Sequence, residues 1–157
     1  MSFQISGLPI HPFRSLFSLS DTELASRNIV RRTVDENPGY PCRVSLRDAS
    51  VGETVLLLNY THLDVASPYR SSHAIYVRQD ADAAQLAPGE IPEVLTRRLL
   101  SVRAFDESGM MVAAEVVDGR ELALAIEQLF SNPRAAYLHV HNAKPGCFAA
   151  RIDRYQT

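Results

Sequence analysis

Short alternating apolar segments, separated by turn residues, recur along the chain and predict more strand than helix. Thr54 to Tyr60, TVLLLNY, is apolar on both faces and predicts a central strand that is covered on both sides. Ala74 to Arg78 is predicted as its neighbour, and Asn28 to Val34 as a further strand. LLSVRAF and MMVAAEVV flank DESG, so the pattern predicts an antiparallel hairpin with Gly109 in its turn.

Two segments have helical rather than strand spacing. Ser20 and Glu23 have the spacing of a capping box and predict a short helix from Asp21 to about Arg27. Asp118 and Glu121 repeat that spacing ahead of a second helix, which must end before a proline. Its apolar stripe consists of Leu122, Ile126, Leu129 and Phe130, at i, i+4, i+7 and i+8.

This stripe requires a sheet to cover it, and the strands show no regular alternation with helices. The pattern therefore predicts the α+β class, with a largely antiparallel sheet and two main helices. Pro92 to Arg98 is expected to add one short helical turn. The length of 157 residues suits one domain spanning residues 1–157.

Composition and hydropathy indicate which binding partners and which cellular location to expect. The apolar fraction is 46% and the formal net charge is −2, so no strong field favours nucleic acid or an acidic membrane as a partner. No apolar run reaches the ~20 residues of a spanning helix. Gly7, Pro9 and Pro12 interrupt the N-terminal segment, which does not resemble a signal peptide. We expect a cytoplasmic protein in which Cys42 and Cys147 stay reduced.

The segment YLHVHNAKPGCFAAR, residues 137–151, predicts a strand, a turn and a second strand. Strand parity places Tyr137, His139 and His141 on one face and Leu138 and Val140 on the other. After the turn, Phe148, Ala150 and Ile152 form the second apolar set. A hairpin with a five-residue loop would put His141 opposite Cys147 and His139 opposite Ala149, on a face open to water.

This predicted cluster leaves three roles open. His139, His141 and Cys147 could supply nitrogen and sulfur ligands to a zinc ion with one open position. Alternatively, His141 could be the general base for a catalytic Cys147 thiol. The third role is purely structural, and it is favoured because cysteines are often buried and strand histidines are usually hydrogen-bonded.

A second candidate region lies in Asp35 to Glu53, which holds two prolines and two glycines and is predicted to be mostly loop. Arg43 and Arg47 flank Cys42 there and could clamp a carboxylate or a phosphate. The alternative is surface charge beside a small buried thiol. No sequence motif around the remaining histidines indicates a functional site. His73 begins a predicted strand as an isolated histidine, and His11 and His62 fall in predicted loops.

Several of these segments together resemble the bacterial family catalogued as domain of unknown function 1203. The likeness rests on GYPCRVSLRDASVGETVLLLNY, SPYRSSHAIYV, RRLLSVRAFDESGMMVAAEVVDG and YLHVHNAKPGCFAARIDR, in that order. It implies a compact domain and no particular reaction. The residues that carry it include Cys42, Arg43, Arg47, His141, Asn142, Gly146, Cys147 and Phe148.

Taken together, the sequence predicts one polar pocket, in which Cys147, His141 and His139 meet the loop that bears Cys42, Arg43 and Arg47. Asn142 would complete the ligand-binding set. The expected ligand is a small molecule, and the arginines favour an anionic one. The alternative is a non-enzymatic interaction module, in which Asn142 and Gly146 only support the turn geometry. In either case we expect the chain to form a homo-oligomer.

Overall fold

The computed structural model describes residues 2–157, and this part of the chain contains ten strands and four α-helices. The strands are β1 (Ser2–Ser6), β2 (Val30–Thr33), β3 (Pro41–Cys42), β4 (Arg47–Asp48), β5 (Thr54–Leu63), β6 (Ser71–Arg78), β7 (Leu99–Phe105), β8 (Met111–Asp118), β9 (Tyr137–Asn142) and β10 (Phe148–Tyr155). The helices are α1 (His11–Arg14), α2 (Asp21–Ser26), α3 (Glu93–Thr96) and α4 (Leu122–Phe130), with 3₁₀ turns at Ser15–Ser18 and Gly119–Glu121.

The strands form two five-stranded sheets. The first sheet has the order β1-β10-β9-β7-β8 and is antiparallel throughout. The second has the order β2-β5-β6-β3-β4, and its only parallel pair joins β3 to β6. The predicted α+β class, with largely antiparallel pairing and two main helices, is confirmed. Alternation identifies strands without assigning them to sheets, so the division into two sheets emerges only in the structure.

The first sheet packs against α3 and α4. The predicted stripe of Leu122, Ile126, Leu129 and Phe130 is buried against Leu138 and Val140 of β9 and the neighbouring strands. The start of this helical segment differs from the predicted capping box: the Asp118 carboxylate accepts a hydrogen bond from the Arg120 N–H, and a 3₁₀ turn precedes α4. This turn lies so close to α3 that a Cβ on Gly119 would be 1.9 Å from the Leu95 carbonyl oxygen.

The N-terminal helical segment packs against the second sheet. Ser20 and Glu23 form the predicted capping box, with both hydrogen bonds at 3.1 Å. The box begins α2, whose Leu24 packs with Phe13 in a cluster that also contains Leu56 of β5 and Ile75 of β6. Both sheets therefore have an apolar core of their own, and helices cover each of these cores.

The long connection between β2 and β5 is more ordered than predicted. It contains β3 and β4, which pair with each other, and β3 extends the second sheet beside β6. The predicted hairpin of β7 and β8 is confirmed, with Gly109 at φ +82° in its turn. Among residues 2–157, none of the helices combines the length and the apolar character that a bilayer-spanning helix requires.

Candidate ligand-binding site between the sheets

The register of the last hairpin differs from the prediction. β9 and β10 pair antiparallel, but His141 lies opposite Phe148 rather than Cys147, and His139 lies opposite Arg151 rather than Ala149. The turn is one residue shorter than predicted, since the Asn142 N–H donates to the Cys147 carbonyl oxygen, and this shifts both pairs by one residue. A bulge between Phe148 and Ala150 shifts the partner of His139 by one more, because it adds a residue to β10. The predicted direct pairing of the His141 imidazole with the Cys147 thiol is therefore wrong.

The sequence also suggested that the histidine face of β9 is open to water, but this face is buried. Leu138 and Val140 face the helix-covered core as predicted, but His139 is only 2% exposed and His141 is fully buried. Phe148 lies on this face as well, instead of joining Ala150 and Ile152 in the core. The prediction failed because the second sheet covers this face with its own aromatic side chains, and strand parity says nothing about what covers a face.

Arg43 and Asn142 contact the Cys147 sulfur. The Arg43 guanidinium donates to Cys147 Sγ at 2.8 Å, and Asn142 Nδ2 donates to the same sulfur at 3.6 Å. Arg43 also donates to the Phe148 carbonyl oxygen at 2.7 Å and to the Pro41 carbonyl oxygen at 2.6 Å. The turn that carries Cys147 is closed by the Gly146 N–H, which donates to the Asn142 carbonyl oxygen at 2.8 Å. Arg43 thus joins the loop of the second sheet to the hairpin of the first.

The charge of Arg43 is unusual for its position. Its side chain is 2% exposed, yet no carboxylate within residues 2–157 forms an ion pair with it. Burial lowers the pKa of Arg43 from its ordinary value, and the Cys147 sulfur acts in the opposite direction. A buried charge needs a partner of opposite sign or several hydrogen bonds. Two carbonyl oxygens and one sulfur accept its hydrogen bonds here, but no carboxylate of residues 2–157 supplies the opposite charge.

A cleft of about 640 Å³ opens at this contact. Arg43, Cys147, Asn142 and His73 are among the residues that line it. Arg97, Arg98 and Lys144 add three more cations, and no carboxylate is among the residues that line the cleft. The Asp48 carboxylate, buried behind them, binds Arg97 at 3.2 Å and Arg98 at 2.6 Å. Lys144 has no ion-pair partner in the described part of the chain.

Four histidines cluster at the junction of the two sheets. His62 Nε2 lies 3.0 Å from His73 Nδ1, and one ring nitrogen of each of His62, His73 and His141 lies within 4.8 Å of the other two. His139 adjoins His62, with ring centroids 5.7 Å apart. Phe148 stacks on His62 at a centroid distance of 5.1 Å and an interplanar angle of 5°. The cluster combines neutral aromatic packing with ring nitrogens that can act as ligands.

These imidazoles are held in the neutral form. Burial lowers the pKa of His139 and of His141 to about 3, and the pKa of His62 to about 4. Burial also lowers the pKa of His73. The Arg103 guanidinium, on β7 opposite His139, adds electrostatic repulsion of a proton at all four rings. At neutral pH each ring therefore has a free lone pair on one nitrogen.

Several buried polar atoms around the cluster have no hydrogen-bond partner within residues 2–157. They include His62 Nδ1, His139 Nδ1, His141 Nε2 and the Asn142 carbonyl oxygen Oδ1. Native proteins satisfy most buried polar atoms with hydrogen bonds, so such a concentration of exceptions is unusual. All four atoms belong to the histidine cluster or to the adjoining Asn142.

The structure brings together only part of the predicted pocket. Arg43, Asn142 and Cys147 meet in the cleft, as expected. Cys42 is 1% exposed in the core of the second sheet, where its sulfur accepts a hydrogen bond from the Arg78 N–H. Arg47 lies on the surface beside a separate depression of about 850 Å³. His139 and His141 belong to the histidine cluster, and neither is a partner of the Cys147 sulfur.

Sequence reasoning missed His62 and His73. The prediction that His62 lies in a loop is wrong, because β5 extends to Leu63 and includes it. His73 lies in a strand, as predicted, although β6 begins two residues earlier, at Ser71. It is not isolated, since β5 and β6 are adjacent and His73 pairs with Tyr60. Recognising that these two strands form a hairpin would have placed both histidines at the same end of it.

Comparison with known families gives one match. The model of the family described as protein of unknown function (DUF1203) matches residues 39–154. The match covers most of the chain and includes every cleft residue and every histidine of the cluster, and the chain belongs to this family. No curated protein and no solved structure matches the chain.

Proposed function

We propose that this family member binds a small anionic ligand, carrying a carboxylate or a phosphate group, in the cleft based on Arg43, Asn142 and Cys147. The observation that carries the proposal is the buried Arg43 guanidinium, which has no carboxylate partner within residues 2–157. Arginine forks bind both groups through paired N–H donors. A bound anion would complete the neutralisation that the sulfur and the two carbonyl oxygens begin.

The charge distribution around the cleft supports the same ligand class. Arg97, Arg98 and Lys144 also line the cleft. Asp48 pairs with both arginines and Glu93 pairs with Arg97 at 2.6 Å, which leaves the charge of Lys144 unpaired among residues 2–157. A concave surface with one sign of charge concentrates ions of the opposite sign and raises their rate of association. The overall charge of −2 does not have this effect, so the attraction is local to the cleft.

Cys147 lines the same cleft, so a ligand bound there would contact its sulfur. This supports Cys147 as a ligand-contacting residue. A catalytic thiol with His141 as its base draws less support, because His141 Nδ1 is engaged by the Gly146 carbonyl oxygen. Arg43 takes the position beside the sulfur that the sequence assigned to a histidine.

We expect Lys144→Gln to weaken binding of inorganic phosphate about 5-fold at low ionic strength, because it removes an exposed, unpaired cation from the cleft. Isothermal titration calorimetry on the full chain measures the affinity. Arg27→Gln is the matched control, since it removes the same charge from an exposed position outside the cleft. Equal affinities for the two variants, or no binding by the unmodified protein, would contradict the proposal.

The alternative function, a non-enzymatic module that self-associates, is favoured by one observation. β8 is an edge strand of the first sheet, and its Val116 is 63% exposed. Exposed apolar edge strands invite pairing with another chain. On this alternative, light scattering detects a dimer and Val116→Lys yields a monomer, whereas Val51→Lys, at a similarly exposed turn residue, leaves the dimer intact. A monomeric unmodified protein would rule the alternative out.

A further inference from the structure

Three histidines from three strands converge where the two sheets meet. His62 comes from β5, His73 from β6 and His141 from β9, so both sheets contribute. We infer that His62, His73 and His141 form a binding site for a divalent transition-metal ion of the Zn²⁺ class, with a fourth coordination position left for an anionic ligand. Three protein ligands and one open position are typical of zinc sites that take part in chemistry.

The hydrogen bonding of His141 prepares it to be a ligand. Its Nδ1 lies 2.9 Å from the Gly146 carbonyl oxygen, which can only accept a hydrogen bond, so Nδ1 carries the proton. The lone pair is then on Nε2, which is buried without a partner in the described chain. Metal-bound histidines commonly donate their other N–H to a backbone carbonyl in this way, which fixes the ring and its tautomer.

His62 and His73 already lie at the separation that coordination needs. Metal–nitrogen bonds of about 2.0–2.1 Å in a tetrahedral site put the ligand nitrogens roughly 3.3 Å apart. His62 Nε2 and His73 Nδ1 are 3.0 Å apart and share a hydrogen bond. Since all three ligand atoms lie within 4.8 Å of one another, small ring rotations bring His141 into the same sphere. Ser71 Oγ, 3.1 Å from His62 Nε2, adjoins the site.

The chemistry of the donors selects the ion. Imidazole nitrogens suit Zn²⁺, Cu²⁺, Ni²⁺, Co²⁺ and Fe²⁺, whereas Mg²⁺ and Ca²⁺ prefer oxygen ligands, and no carboxylate joins this group. Neutral imidazoles bind metals without first losing a proton. His73 lines the cleft, which provides the path by which an ion enters.

Arg103 explains why the fourth ligand should be an anion. Its guanidinium repels positive charge at all three rings, and among residues 2–157 its hydrogen-bond partner is Ser101 Oγ. A bare divalent ion would meet the same repulsion. Hydroxide or a ligand carboxylate in the open position reduces the charge of the ion and pairs with Arg103. This inference does not rest on the proposed anion site at Arg43, which supplies none of the three metal ligands.

The test uses the full chain without a histidine tag, stripped of metal with a chelator and titrated with Zn²⁺ and with Co²⁺. We expect one ion per chain and visible Co²⁺ absorption of the intensity that low-coordinate sites give. His73→Ala should weaken Zn²⁺ binding by ~100-fold or more, since one of three ligands is lost. His11→Ala, at an exposed histidine, is the control and should bind like the unmodified protein.

Two further variants keep the test decisive even if a histidine variant folds poorly. In buffer without a coordinating anion, Arg103→Gln should strengthen Zn²⁺ binding about 10-fold, because a repelling charge is removed. Cys147→Ser should bind Zn²⁺ normally, whereas a site built on His139, His141 and Cys147 would lose its affinity. Absence of bound metal in the unmodified protein, or equal affinity in His73→Ala, overturns the inference. Phosphate titration of the same variants reports separately on the proposed anion site.

Discussion

Acidification of the metal-free protein from about pH 7 to about pH 5 is expected to lower its free energy of unfolding by roughly 4–6 kcal/mol. The cause is the burial of His139 and His141, whose pKa values are about 3 in the folded protein, together with the half-buried His62, whose pKa is about 4. In the unfolded chain histidine takes up a proton near pH ~6.5. Each ring therefore stabilises the fold fully above that pH and loses about 2 kcal/mol by pH ~5.

The pKa values of His139 and His141 are lowered, and not raised, because of burial and because of the charges that face the two rings. Arg103 and Arg151 act on His139, and Arg103 acts on His141, alongside the neighbouring histidines. No carboxylate is among the groups that shift either pKa within the described residues; the hydrogen bond to the Gly146 carbonyl oxygen favours the imidazolium of His141, but burial outweighs it. Urea unfolding at a series of pH values, with a chelator present, measures the loss.

Two variants test whether the buried histidine rings cause the loss of stability at acid pH. His139→Phe keeps an aromatic ring among Phe105, Tyr137 and Phe148 but removes one titrating group. It should remove roughly 2 kcal/mol of the acid sensitivity at pH ~5. His11→Gln, at an exposed position, should have no effect. If His139→Phe and the unmodified protein lose stability in parallel, the explanation is wrong.

Replacement of Arg43 by methionine is expected to destabilise the protein by about 3 kcal/mol and to abolish phosphate binding. The guanidinium donates three hydrogen bonds that join Pro41 in the second sheet to Cys147 and Phe148 at the hairpin of the first. Hydrogen bonds from a charged donor contribute about 1.5–3 kcal/mol each. Relief of the unpaired buried charge offsets part of that loss.

Arg47→Met is the matched control for this change, because Arg47 lies on the same connection but is exposed. Its free energy of unfolding should stay within about 0.5 kcal/mol of the unmodified value. Urea unfolding measures stability, and calorimetry measures phosphate affinity. An Arg43→Met protein as stable as Arg47→Met would show that the bridge between the sheets contributes little.

The elements of the fold could be predicted from local sequence signals. The Ser20–Glu23 capping box, the stripe on α4 and the Gly109 turn each depend on residues a few positions apart, and the structure confirms all three. The assignment of strands to two sheets depends on contacts between distant residues. No local pattern in the sequence encodes those contacts.

The candidate site could be predicted only in part, for a similar reason. Arg43 and Asn142 were expected near Cys147 and do contact it. The bulge in β10 was not foreseeable, because Ala149 and Ala150 are both small and both pack in the same core. A residue inserted into one strand changes which side chains lie opposite each other from there on. The bulge changes the partner of His139, whereas the contacts of both histidines with His62 come from the second sheet, which covers this face.

The two thiols differ sharply in access: Cys42 is sealed in the core of the second sheet, whereas Cys147 is partly exposed on the wall of the cleft. A maleimide fluorophore will therefore attach at a single position without any engineering, because the buried thiol does not react. The dye would sit where a ligand must pass. Its emission would then allow chemical libraries to be screened against this protein before any natural ligand is known.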